Sequence, residues 1–144
     1  MKKLLSSFII LCLLANVQSM FAEDRLKNNE FREHCNRVTI YVGNGQDVDV
    51  VDALFVFNGL TKTIVFTPER KTGPSQYFKF SKYSYREHEK TLDYTFPIVG
   101  NEDLISIDLH IEKNNSFICL HYTDFDAYFN VDQSGDFPYS MYNK

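Results

Sequence analysis

The 144-residue sequence has no tryptophan, only 6 glycines, 4 prolines and 3 cysteines, and no surplus of positive charge, with 15 Lys and Arg against 19 Asp and Glu. Each shortage excludes something. With glycine so sparse there is no phosphate-cradling loop: Gly43-Asn44-Gly45 is too short for one and reads as a turn. No Pro- or Ser-rich stretch marks a linker, no segment repeats, and the length suits one domain of roughly 100–150 residues. Without a Lys/Arg cluster, nucleic acid is not an expected partner, because that affinity depends on cations displacing counterions from phosphates. Attraction to anionic lipid fails on the same ground. Neither a G-x-S-x-G elbow nor a cysteine beside a matched histidine supplies an activated nucleophile. What is present, 44% hydrophobic and 24% charged residues, is the composition of a chain that folds.

The only long apolar run lies at the start. Lys2 and Lys3 precede an unbroken apolar stretch over residues 8–15, and small residues follow at Ser19 and Ala22. Basic, apolar and cleavage regions in that order predict a secretory signal peptide over residues 1–22, with cleavage after Ala22 and a single exported domain over 23–144. An apolar core of about 8–12 residues is too short to stay as a membrane anchor, which needs about 20. Cleavage removes Cys12, Lys2 and Lys3 and leaves a chain more acidic than the whole, whose formal charge is −4. Two cysteines remain, Cys35 and Cys119, in a chain bound for an oxidising compartment. One disulfide is expected between them, worth about 3–5 kcal/mol through the long loop it would close.

From residue 37 onward, short runs rich in Val, Ile, Phe, Tyr and Thr alternate with Gly, Asn, Asp and Pro, the punctuation of strands and turns. Residues 28–36 are polar apart from Phe31 and read as an arm or a short helix. A two-residue turn at Asn114-Asn115 would set Ile111 opposite Ile118, Leu109 opposite Leu120 and Ile107 opposite Tyr122 on one apolar face. Its other face would set Asp108 opposite His121 and His110 opposite Cys119. Asn58-Gly59 predicts a second hairpin with a type I′ turn joining 50–57 to 60–67. A third pairs 77–85 with 91–99, and single strands cover 37–42 and 126–131. Roughly eight antiparallel strands imply an all-β sandwich, with a barrel as the alternative, since one open sheet would leave an apolar face in water.

Two constellations could carry chemistry. Asp108, His110, Glu112 and His121 share the polar face of the C-terminal hairpin, where an Asp beside a His orients the imidazole and His with carboxylates forms a zinc-ligand set. Asn130, Asp132, Ser134 and Asp136 resemble the opening of a calcium loop, with oxygens at alternate positions and Gly135 at the sixth; Met141 then stands where a bidentate Glu belongs. The bland counterparts are a solvated sheet face and an Asx-rich turn. Asn114-Asn115-Ser116 is also a glycosylation sequon, at a place where turn geometry alone accounts for it. The expectation is therefore a secreted or periplasmic binding module of inhibitor, effector, immunity or adhesion type, acting through contacts with another protein and not as an enzyme. The alternative is a small metal-dependent hydrolase using Asp108, His110 and His121.

Overall fold

A computed structural model describes residues 24–68 and 74–132; the signal sequence expected over 1–22, Ser134 and Asp136 lie outside the described residues. Among these residues there is no helix. Nine strands follow in chain order: β1 (Glu30–Val42), β2 (Gly45–Asn58), β3 (Thr63–Pro68), β4 (Gln76–Lys79), β5 (Ser84–His88), β6 (Thr91–Pro97), β7 (Leu104–Ile111), β8 (Phe117–Tyr122) and β9 (Asp126–Val131). They form one antiparallel sheet in the order β4-β3-β2-β1-β9-β8-β7-β6-β5. Chain neighbours pair throughout except at β4 and β5, and β1 pairs with β9. The sheet curls into a half-barrel. Its two limbs meet across the concave side, where the Phe57 ring of β2 lies 5.4 Å from Phe96 of β6, and Lys79 bridges to Val99 beyond the sheet edge.

Alternation dictates this arrangement. Leu92, Tyr94 and Phe96 of β6, Ile107, Leu109 and Ile111 of β7, and Ala127, Phe129 and Val131 of β9 all point to the concave side and are buried. Their sequence neighbours are polar and face outward. Burying one face of every strand in a common core is what an amphipathic sheet requires, and curling achieves it with a single sheet. Phe55 extends the core to β3 and β9, its ring 4.9 Å from Phe66 and 5.0 Å from Phe129.

The segment expected as an arm or helix is β1 from Glu30 onward. Phe31, Glu33 and Cys35 occupy successive inward positions, and Glu33, only 2% exposed, breaks the apolar pattern that would have revealed the strand. Before it, residues 24–29 run over the turn between β2 and β3. Leu26 is fully buried there, and Gly59 donates its N–H to Asn29 O at 2.8 Å. Gly59 is needed for this close approach, since a Cβ on it would stand 2.0 Å from Leu26 O. The expected type I′ turn is replaced by a four-residue connection, 59–62. In it Asn58 Oδ1 accepts from the N–H groups of Leu60 and Thr61, and Lys62 takes the positive φ.

Both expected hairpin registers slip, and by even numbers of residues. Phe57 faces Ile64 instead of Leu60, and Leu109 faces Ile118 instead of Leu120. An even slip keeps paired side chains on their faces, so the inward set survives except at Leu60, which lies exposed in the connection. The second slip has a local cause. Ser116 Oγ accepts from Glu112 N at 3.0 Å and lies 2.8 Å from Glu112 O, closing a longer connection over 112–116 that contains Asn114. The third pairing also changes: residues 76–79 form β4 against β3, and only Ser84–His88 pairs with β6.

The expected disulfide is not formed. Cys35 and Cys119 are both free and both buried. Cys35 points into the concave core beside Ala53 and Val131, whereas Cys119, between the inward Ile118 and Leu120, points outward. A sheet lies between the two thiols.

Candidate functional site

The convex face carries three histidines and their carboxylate partners. Three of the four histidines sit there, and each is held between two carboxylates. His121 of β8 places Nε2 2.7 Å from Asp108 Oδ2 and Nδ1 2.9 Å from Asp126 Oδ1. His110 of β7 places Nδ1 2.5 Å from Asp93 Oδ1 and Nε2 3.2 Å from Glu112 Oε2. His34 of β1 places Nε2 2.5 Å from Asp52 Oδ1 and Nδ1 3.6 Å from Asp132 Oδ2. Period-two alternation on adjacent strands makes these groups neighbours.

The expected site is thus assembled, though not in the pairing foreseen. Asp108 lies directly opposite Cys119, and His121 lies opposite Ser106 on one side and Asp126 on the other. Asp108 reaches His121 along the diagonal. His110 and Glu112 belong to a separate cluster with Asp93, where the His110 ring stacks on Phe117 at 4.8 Å between centroids. Of the calcium-loop residues, Asn130 is an outward residue of β9, and Asp132 turns its carboxylate to His34. His34, Asp52 and Asp93 were not anticipated. The first escapes because residues 28–36, the first half of β1, read as an arm; the others escape because the sequence does not show the second neighbour of either strand.

Electrostatics follow from the geometry. Burial alone would lower the pKa of His110, but its hydrogen bonds to Asp93 and Glu112 outweigh that and hold it above the ordinary value. His121 behaves likewise, with burial opposed and overcome by Asp108 and Asp126. Each of these rings is therefore biased towards the imidazolium form, with both N–H groups donated to carboxylates. A protonated imidazole with both nitrogens engaged cannot accept a proton from a substrate. Cys119, 1% exposed, has its thiol pushed up to about 12, chiefly by burial.

A second feature lies at one end of the half-barrel. A cavity of about 430 Å³ is lined by inward residues including Val38, Phe66, Leu120 and Phe129, with Val50 and Asp52 at its side. Along it β2 runs past the end of β3, so that over residues 45–52 it is an edge strand paired only with β1, which itself pairs with β9 as far as Tyr41. All residues over 41–50 are exposed, among them Tyr41, Val42, Val48 and Val50, the last at 76%.

Comparison with protein-family models, with curated proteins and with solved structures finds no match. Fold and site together define an all-β half-barrel with an acidic, histidine-bearing convex face and an exposed, partly apolar hairpin edge.

Proposed function

We propose that this chain is an exported binding module, secreted or periplasmic after loss of residues 1–22, that engages another protein through the β1–β2 hairpin. The observation that carries the reading is the run of exposed residues over 41–50 with four large apolar side chains uncovered. Apolar side chains gathered on an exposed sheet edge mark a surface that a partner covers. The cavity begins beside this edge, and Val50 belongs to both. Such a pocket suits an apolar anchor from the partner, the arrangement in which a few buried residues dominate affinity. Asp47 and Asp49 flank the exposed valines on a chain of net charge −4, so the complementary surface is apolar with a basic border. We read the curl itself as the sandwich form of the fold, two limbs of one sheet face to face, a reading that the Phe57–Phe96 contact supports.

As general bases of the hydrolase alternative, His110 and His121 draw less support, since each has both ring nitrogens hydrogen-bonded to carboxylates.

A photo-reactive residue at Val48 tests the proposal in native extracellular or periplasmic material. One adduct in stoichiometric amount, abolished by Val42→Ser with Val50→Ser, is expected. No adduct, or the same adduct from a probe at Leu60 at the other end of β2, overturns it.

A further inference from the structure

We propose that Cys119, His121 and Asp126 form a binding site for a zinc-like transition-metal ion on the convex face. The three donors come from two adjacent rungs of the sheet. Cys119 and His121 are alternate outward residues of β8, and Asp126 is the cross-strand neighbour of His121 on β9. Sγ lies 3.8 Å from His121 Nδ1, and Nδ1 lies 2.9 Å from Asp126 Oδ1; all three donor atoms fall within 4.8 Å of one another. Tetrahedral coordination with bonds of about 2.0–2.3 Å sets donors roughly 3.3–3.8 Å apart. These spacings bracket that range, so a rotation of the half-exposed Asp126 carboxylate completes the fit.

The far ring nitrogen supplies an independent reason. Asp108 Oδ2, 2.7 Å from Nε2, accepts that N–H and so directs Nδ1 towards the thiol and Asp126. A carboxylate behind a ligating imidazole fixes its tautomer and raises its basicity, the usual support for a histidine–metal bond. Sulfur with imidazole and carboxylate selects zinc and its neighbours over calcium or magnesium, which take oxygen. His110 meets the Phe117 ring where His121 meets a thiol. Binding displaces the Sγ proton and the Nδ1 proton, both to solvent, and leaves the fourth position open on the outer surface. Cys119 and Asp126 thus take roles that the binding reading leaves unfilled, and the site stands apart from the β2 edge.

Cobalt(II) is the probe, because it adopts zinc's geometry and reports a bound thiolate by charge-transfer absorption. The purified chain, stripped with chelator, is expected to take up one equivalent with that band. Cys119→Ser should abolish it, Asp108→Asn should weaken binding about 10- to 100-fold, and His110→Gln should leave binding unchanged. If Cys119→Ser does not fold by circular dichroism, His121→Gln takes its place, with loss of the band expected. A folded chain that shows no band overturns the proposal. So does a band that survives Cys119→Ser, which would place the metal on Cys35, or binding lost equally in His110→Gln.

Discussion

Gly59→Ala is expected to detach the N-terminal segment from the barrel while leaving the sheet intact. The added Cβ would stand 2.0 Å from Leu26 O and 2.8 Å from Leu26 C, and both are backbone atoms that no rotamer change can move. Ordinary van der Waals separation requires a shift of more than an ångström, which the segment can make only by lifting off. Lifting exposes Leu26, now fully buried, and breaks the Gly59 N–H to Asn29 O hydrogen bond. Exposing a buried leucine costs about 1.5–3 kcal/mol and losing one hydrogen bond about 0.5–1.5. The sum sits near 2–4.5 kcal/mol, the upper range for a single substitution. Urea denaturation of the wild type, Gly59→Ala, Leu26→Ala and the double variant measures it. Because both single changes act by undocking one segment, their costs should fall short of additive by about 1 kcal/mol or more. A Gly59→Ala variant within 0.5 kcal/mol of wild type, or strictly additive costs, would refute the reasoning.

Two further outcomes follow from the site. With metal removed, His110 has a folded-state pKa raised above its ordinary 6.5, so its stabilising effect is complete below pH 6.5 and fades as pH rises through the folded value. The stability gap between wild type and His110→Gln should therefore narrow from pH 6 to pH 9 in urea titrations; a gap that widens contradicts the clamp. The free, buried thiols make a separate prediction: mass spectrometry after iodoacetamide treatment should find Cys35 and Cys119 unmodified in the native chain and both modified in guanidinium, without reductant. Resistance in guanidinium that reductant relieves would restore the disulfide.

Faces were readable in the sequence to the extent that alternation survived. Ile107, Leu109, Ile118 and Leu120 are inward as expected, and β9 falls on 126–131 as expected, because a strand's inside and outside depend only on parity. Register depends on the turn, and there the sequence misled. Asn58-Gly59 suggested a positive-φ pair, yet the glycine is there to clear Leu26 and Lys62 bears the positive φ. Ser116, read only as part of a sequon, lengthens the next turn by holding Glu112. The acidic partners of the histidines were partly legible, since Asp108 and His121 do meet. Asp52, Asp93 and Asp132 could not be matched to their imidazoles without knowing that β1 lies between β2 and β9 and that β6 lies beside β7. Glu33 hides the first half of β1, and with it His34.

That central place of β1 has a kinetic consequence. One neighbour, β2, is made immediately after it, but the other, β9, is the last of the described strands to be synthesised, so the middle of the sheet stays half-built while the chain is being made. Pairings between distant parts of a chain form slowly, and until they form, the hydrogen-bonding edge of β1 is bare and able to recruit strands from other molecules. Loss of the last strand would make that vulnerable interval permanent.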